Sequence, residues 1–164
     1  MITPPDLIPF DGDWLSYEER IYQVFLDQFV RADVRFRGKS VKAQYRPEYN
    51  GKGFSFWHVI SEAPDSHNRN DEDRIPDLRR CERIGWIAWA IRAASDPQSG
   101  VTWWGNRRGC NRHIVIWAEE RDFAVVLAAR SSYFLLKTAY AGIKPHRRQS
   151  FTRERADFWS KQNG

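Results

Sequence analysis

The feature that most constrains the fold of this sequence is a pair of apolar runs at residues 123–128 and 133–139. A short polar connection, Ala-Arg-Ser-Ser, separates the two runs. Each run has the length of a buried strand and is rich in Val, Phe, Leu and Tyr. We therefore predict a β-hairpin at the centre of a sheet.

Polar and basic groups follow where the second run ends: Lys137, Thr138, Tyr140, Lys144, His146, Arg147 and Arg148. Side chains alternate along a regular strand, so Thr138 and Tyr140 should share the face of Leu136. Lys137 should then point to the other face. Cations, hydroxyls and an imidazole at one rim of a sheet indicate a surface that handles phosphate. An edge strand with a solvated basic tail would give the same pattern.

Two helices are predicted ahead of this hairpin. A capping box at Ser16 begins the first, and apolar residues at helical spacing continue it to about Arg31. The second begins near residues 73–76, after a polar segment that reads as a loop, and ends at Asp96 before a proline. A further amphipathic helix or arm is predicted at residues 149–159.

Two more groups of candidate site residues lie in the first half of the chain. Arg79, Arg83 and Trp86 follow one another at i, i+4 and i+7 on the second helix, a line that can hold a phosphate and stack a base. An exposed charged face would have the same spacing. Residues 54–60 alternate like a strand and place His58 in line with aromatic side chains, where it is either a structural residue or a proton-transfer group.

The remaining strands are short and closely connected. Residues 105–112 between two of them form a basic, glycine-containing loop with Arg107 and Arg108, which matches no nucleotide-binding fingerprint. The other predicted strands are 34–37, 41–45, 101–104 and 113–118. This order predicts an α+β fold with helices packed on a central antiparallel sheet of about four strands. An N-terminal helix and a β-hairpin extension complete it. We predict an extended arm at residues 1–15 and a single domain at 16–164.

Net charge and residue composition favour some classes of function over others. The chain has 164 residues and a net charge of +5, which favours contact with polyanions. Its two cysteines have no zinc-type spacing, and its carboxylates and histidines are scattered, so we expect no metal and no cofactor. We also expect no signal peptide and no membrane segment, and hence a reduced, cytoplasmic protein.

The chemistry that remains is metal-independent. Imidazole, phenol and hydroxyl groups can move protons while arginine and lysine hold a phosphate. Cleavage of RNA by its own 2′-OH needs only a base, an acid and cations that stabilise the phosphorane. DNA lacks that internal nucleophile, so this set of groups suits RNA better.

Several segments together resemble a phage- and plasmid-associated family of ribonuclease toxins with the barnase–EndoU–colicin–RelE (BECR) fold. The segments are F-R-G-K from Phe36, F-W-H-V-I-S from Phe56, D-L-R-R-C-E-R-I-x-W-I from Asp77, and the hairpin that ends in L-L-K-T-A-Y at Tyr140. The resemblance covers roughly residues 34–148. It implies a RelE- and barnase-like nuclease that acts on RNA without metal, often beside an antitoxin or immunity protein.

The resemblance also assigns residues. It points to His58, Arg83, Thr138 and Tyr140, and less directly to Lys137; we add His146 as a second proton-transfer group. His58 is expected to act as base or acid with Tyr140 or His146 as its counterpart. Other residues are expected to contact phosphate or RNA: Arg79, Arg83, Lys137, Arg107, Arg108, Arg147, Arg148 and Trp86. The alternatives are a non-catalytic RNA-binding module and a phage-associated protein-interaction domain.

Overall fold

The computed structural model describes residues 3–62 and 74–163, so the predicted loop at 63–73 lies outside the described part. Within it the helices are α1 (Trp14–Phe25), α2 (Phe54–Ile60), α3 (Leu78–Glu82), α4 (Trp86–Ala93) and α5 (Pro145–Asn163). The strands are β1 (Arg35–Phe36), β2 (Lys39–Lys42), β3 (Ser61–Glu62), β4 (Ile75–Pro76), β5 (Val101–Arg108), β6 (Asn111–Ala118), β7 (Phe123–Ala129) and β8 (Phe134–Ala141). A π-helical turn, Leu26–Val30, extends α1.

The main sheet has six strands in the order β1-β2-β8-β7-β6-β5. The α+β class is confirmed, and β5 to β8 form the predicted antiparallel meander. The predicted number of strands, about four, is too small, because the β1–β2 hairpin adds two more. The sheet is also not purely antiparallel, because β2 runs parallel to β8. Strands β3 and β4 form a separate pair.

The central hairpin, β7 and β8, is confirmed, and its neighbours are longer than predicted. The basic segment 105–112 is mostly strand, since β5 continues to Arg108 and β6 begins at Asn111. Gly109, with φ of +62°, makes the tight connection that a residue with a side chain would adopt only with strain. The arginine-rich segment can still form paired strands, because at this end of the sheet the arginine side chains are exposed to water.

Residues 54–60 form helix α2, so the predicted strand is wrong. The buried side chains Ser55, Phe56, Val59 and Ile60 recur at helical spacing, whereas a half-buried strand would bury every second residue. His58 and Phe54 lie one turn apart on the outer face, with their rings stacked 4.0 Å apart. The alternation of aromatic and smaller residues misled the sequence prediction.

The predicted long helix at 73–96 is interrupted. Asp77 caps α3 by accepting hydrogen bonds from the amides of Arg79 and Arg80. The chain leaves helical geometry at Arg83 and re-enters it at Trp86. Arg79, Arg83 and Trp86 therefore do not form one line on one helix face, as the uninterrupted helix required.

Two hydrophobic clusters cover the two faces of the sheet. The main core lies under α1, α2 and α4 and includes Phe25, Phe56 and Ile91. The second, which we call the α5 core, includes Trp104, Trp117 and Phe151, and the partly buried Tyr140 packs against it.

The main sheet is strongly curled. The ring of Trp103, on edge strand β5, lies 5.3 Å from Phe36 on the opposite edge strand, β1. It also lies 5.1 Å from Trp159 of α5. The two edges of the sheet therefore meet through aromatic contacts.

A β-bulge in β8 decides which way Tyr140 faces. Val126 pairs with Thr138 but the next residue, Leu127, pairs with Leu136, so Lys137 is an extra residue. Leu136 and Ala139 both lie in the main core, while Tyr140 packs against the α5 core. The prediction that Thr138 and Tyr140 share the face of Leu136 is wrong, because the extra residue reverses the alternation.

The N-terminal arm docks on the helices through hydrogen bonds. The Tyr17 hydroxyl donates to the Ile8 carbonyl at 2.7 Å, and the Trp86 indole donates to the Pro5 carbonyl at 2.8 Å. Helix α1 begins at Trp14, two residues before the predicted capping box, with Asp13 at its cap position.

Among the helices described, none combines the length and apolar character needed to cross a membrane.

Candidate active site

A cavity of about 340 Å³ opens where the end of β8 meets α3 and the first turn of α5. We call it the Tyr140 cavity. Four of the predicted site residues line it: Arg79, Tyr140, His146 and Arg147. Lys144 lines it too, as do Arg80, Glu62 and Asp77. Residues far apart in sequence thus meet around one phenol.

Two guanidinium groups lie over the ring of Tyr140. The Cζ atom of Arg147 is 4.3 Å from the ring centroid, and that of Arg80 is 5.3 Å away. Such contacts each stabilise by roughly 0.5–2 kcal/mol, depending on how far they are desolvated. Among the described residues, none forms a hydrogen bond with the Tyr140 hydroxyl. The ring is therefore fixed while its hydroxyl stays open to a ligand.

Arg80 is buried and is held by groups from β3 and by the cap residue of α3. Its Nη1 donates to the Ser61 carbonyl at 3.0 Å, and its Nη2 donates to a Glu62 carboxylate oxygen at 3.2 Å. Asp77 lies 3.7 Å from its Nε. These contacts engage the two carboxylates of the cavity, so Arg80 positions Tyr140 and offsets part of the local negative charge. Sequence analysis did not single out Arg80, although Asp77 three residues earlier was a signal for an ion pair.

Arg79 lies directly on the backbone of Gly142. A Cβ atom at Gly142 would be only 2.1 Å from Nη1 of Arg79, and the φ of Gly142 is +64°. Glycine is required there both for the turn and for the approach of the guanidinium. Arg79 is exposed and, among the ion pairs of the described residues, it takes part in none.

The start of α5, with the residue just before it, supplies the remaining basic groups. Lys144 and His146 are exposed and Arg147 is half-buried. Their position at the start of a 19-residue helix adds the partial positive charge of the helix N-terminus. Negative charge entering this cavity would therefore meet Arg79, Lys144 and Arg147, which form no ion pair with another described residue.

His58 and Thr138 are neighbours, but not through the imidazole. Thr138 Oγ1 donates to the His58 main-chain carbonyl at 2.9 Å, which ties α2 to the edge of β8. Ser55 Oγ makes a similar bond to the Leu136 carbonyl at 3.4 Å. The His58 ring is half-buried against Phe54 and does not line the Tyr140 cavity. Thr138 thus uses its hydroxyl to hold α2 against β8.

Two predicted site residues on the second helix lie elsewhere. Trp86 is only 7% exposed, and its ring contacts Phe123 and the guanidinium of Arg83. It cannot stack a base, so that prediction is wrong. Arg83 donates to the Arg79 carbonyl at the end of α3, 3.0 Å away, and does not line the cavity. Lys137, at the bulge, does not line it either.

The other predicted cations lie outside the cavity. Arg148 pairs with Asp122 at 3.1 Å and lies over Trp117, where it fastens α5 to the β6–β7 connection. Arg148 thus forms a structural ion pair, and its predicted phosphate contact stays a prediction. Arg107 and Arg108 lie at the far end of β5, and the Arg108 side chain is outside the described part.

Neither cysteine offers a nucleophile at this site. Both are free; Cys81 is buried and Cys110 is exposed. Burial, followed by the charge of Asp77, raises the pKa of Cys81 to about 12, so its thiol stays protonated. Among the described residues, no group of three or more His, Cys, Asp or Glu side chains is arranged to hold a metal ion.

A larger cavity of about 620 Å³ lies between the N-terminal arm, the π-helical turn and α4. Its charged lining consists of Asp27, Asp96 and Arg92, and none of the predicted site residues reaches it. It lacks the combination of a proton-transfer group with several cations, so the smaller Tyr140 cavity is the better candidate site.

Comparisons of this chain with protein-family models, with curated proteins and with solved structures found no match. Its functional assignment therefore depends on its own geometry and chemistry.

Proposed function

We propose that this protein is a metal-independent endoribonuclease that acts as a toxin on cellular RNA in the cytoplasm. The observation that supports this most directly is the Tyr140 cavity, where a phenol and an imidazole lie among cations. The toxin role, the link to phages or plasmids and a neutralising antitoxin or immunity protein follow from the sequence resemblance alone.

The proposed reaction is transfer of the phosphate to the neighbouring 2′ oxygen. A base removes the 2′-OH proton, the 2′ oxygen bonds to phosphorus, and the bond from phosphorus to the 5′ oxygen breaks. An acid protonates that 5′ oxygen, which leaves a 2′,3′-cyclic phosphate and a 5′-OH. Arg79, Lys144 and Arg147 would stabilise the charge of the phosphorane. Tyr140 and His146 are the proton-transfer groups that the cavity offers.

His58 remains an alternative proton-transfer group. It lies on α2 beside Thr138, close in sequence to the cavity residue Glu62, but its ring faces Phe54. Comparing His58→Ala with His146→Ala decides between the two imidazoles. If His146 transfers a proton, its loss lowers kcat by about 10²–10⁴, while His58→Ala changes the rate much less.

The test of the function is cleavage of total cellular RNA by purified protein, with and without EDTA, followed by mapping of the product ends. We expect activity in EDTA and cyclic phosphate ends. Tyr140→Phe keeps the ring between the two arginines but removes the hydroxyl, so it should lower the rate by about 10²–10⁴. Tyr49→Phe removes an exposed hydroxyl outside the cavity and should have no effect. A strict requirement for Mg²⁺ or Mn²⁺ would contradict this mechanism.

A non-catalytic RNA-binding module is the second candidate. It is favoured by a concentration of exposed cations at the end of the sheet remote from Tyr140. Binding of RNA that survives both Tyr140→Phe and His146→Ala, with no cleavage by the unmodified protein, would support this candidate over the nuclease.

A further inference from the structure

Three β-turns lie at the same end of the main sheet, as the strand register shows. His113 pairs with Ala128, and Ala128 pairs with Leu135. Leu135 in turn pairs with Lys42 on β2. We call this region the hairpin end, and it comprises residues 35–42, 105–113 and 128–135.

The hairpin end is strongly basic. It contains Arg35, Arg37, Lys39, Lys42, Arg107, Arg108, Arg112 and Arg130, and no aspartate or glutamate. These eight cations exceed the formal net charge of the whole chain, +5, so the rest of the chain is net acidic. The basic character of the protein is therefore a property of one end of the sheet.

Aromatic rings hold several of these cations in place of carboxylates. The Arg37 guanidinium lies 4.9 Å from the centroid of Trp103. The Lys42 ammonium lies 5.0 Å from the centroid of Tyr133. An aromatic ring positions a cation without neutralising it, whereas a carboxylate would cancel its charge. The charge of this end therefore remains available to a partner.

The hairpin end also carries a like-charge pair that costs stability. Arg107 and Arg112 are directly opposite each other on β5 and β6, and both are exposed. Like charges in that position repel. Within the described chain, the ion pair of Arg35 with Asp33 is the one carboxylate contact that these cations make. An anion bound between the strands would relieve the repulsion.

This surface is distinct from the Tyr140 cavity. Tyr140 pairs with Ala124, Ala124 pairs with Trp117, and Trp117 pairs with Thr102 on β5. Thr102 is therefore level with Tyr140 across the sheet. Arg107 lies five residues further along β5, which is roughly 17 Å at about 3.4 Å per residue. One phosphate cannot touch both regions, but a polynucleotide can.

We infer that the hairpin end is a second nucleic-acid-binding surface, which holds the phosphate backbone of a polynucleotide independently of the Tyr140 cavity. Six of its eight cations are arginines, whose planar fork suits phosphate oxygens. The turns add serine and asparagine side chains, which are common donors to the sugar-phosphate backbone. Backbone contacts carry no sequence information, so binding here is independent of base sequence.

The experiment measures binding of a 20-nucleotide 2′-O-methyl RNA, which lacks the 2′-OH nucleophile and stays intact whether or not the protein is a nuclease. Its affinity is recorded over a range of salt concentrations for the unaltered protein and for Arg107→Gln/Arg112→Gln. We expect about tenfold weaker binding near 0.1 M salt and a log–log salt slope smaller by about 1.4, from two lost phosphate contacts. The melting temperature should stay the same or rise, because a repulsive pair has been removed.

The matched control is Arg92→Gln/Arg153→Gln, which removes two exposed arginines outside both surfaces. It should bind the RNA as the unaltered protein does. Lys39→Gln/Lys42→Gln, on a different strand, should repeat the loss of affinity. An unchanged salt slope in both hairpin-end variants would overturn the inference. So would an equal loss in the control, or tighter binding of a polyglutamate peptide than of the RNA, which would indicate an acidic protein partner.

Discussion

Gly142 is the residue at which the backbone directly controls the Tyr140 cavity. Its positive φ turns the chain from β8 towards α5, and its missing side chain leaves the space that Arg79 occupies. The cost of placing alanine there has two parts. One is the backbone strain of a left-handed conformation, and the other is displacement of a flexible guanidinium from the cavity.

Gly142→Ala should therefore lower cleavage about tenfold while costing about 1–2 kcal/mol of folding free energy. Gly51→Ala is the matched control, because Gly51 has a φ of +73° and no atom lies within 4 Å of the point that a Cβ would occupy there. It should lose similar stability without loss of activity. Rates of RNA cleavage and urea unfolding curves separate the two effects. Equal activity of both variants would show that Arg79 does not contact substrate.

At the same scale, the sequence identified the exposed part of the site better than the buried part. Tyr140, His146 and Arg147 were predicted because hydroxyl, imidazole and guanidinium groups cluster after an apolar strand, and they do line one cavity. Arg80 was missed because it looks like one more basic residue in a basic helix; only tertiary contacts with Ser61 and Glu62 reveal that it is buried.

At the scale of elements, the period of the hydrophobic pattern and the length of each apolar run predicted most strands of the sheet. Local geometry explains the predictions that were wrong. Strand β7 is apolar for its whole length and β8 begins with Phe-Leu-Leu, so their identity as strands did not depend on tertiary context. The residues of α2 fit either period, and packing against β8 decided the outcome. The bulge at Lys137 follows from strand pairing, which no single-segment pattern reveals.

We expect the contact between the N-terminal arm and α1 to weaken at high pH. Tyr17 is fully buried, and its hydroxyl donates to the Ile8 carbonyl. Burial is the main cause that raises the pKa of Tyr17 above its ordinary value of 10.0, and the charge of Glu82 acts in the same direction. A raised pKa in the folded state stabilises the fold below the unfolded value. That contribution is lost as the pH rises towards the folded value.

The stability of the unaltered protein should therefore fall above about pH 10, relative to Tyr17→Phe, by about 1.4 kcal/mol per pH unit. At pH 8 the variant should be less stable by about 1 kcal/mol, because one hydrogen bond is lost. Denaturant unfolding of both proteins between pH 8 and 11 measures this, and the other tyrosines cancel in the difference. Parallel pH profiles would mean that the Tyr17 hydroxyl is solvated in the folded protein.

At the scale of the whole molecule, the curled sheet is a rigid spacer between two basic regions. Pairing through six strands, together with the contact of Trp103 and Phe36 across the two edges, fixes the Tyr140 cavity at one end and the hairpin end at the other. The eight residues of β8 alone span roughly 25 Å. An RNA that reaches both ends gains affinity from a second contact, because that contact forms at a high effective concentration.

Substrate length should consequently separate binding at the hairpin end from chemistry at Tyr140. For a 20-nucleotide RNA, Arg107→Gln/Arg112→Gln should raise KM about tenfold and leave kcat unchanged, since a remote contact made equally in ground and transition states affects binding alone. For a tetranucleotide, too short to reach both regions, the same variant should match the unaltered protein. Steady-state cleavage of the two substrates measures this, with Arg92→Gln/Arg153→Gln as the control for net charge. A fall in kcat on the tetranucleotide would mean that the two arginines act on the cavity itself, and the two-region model would then be wrong.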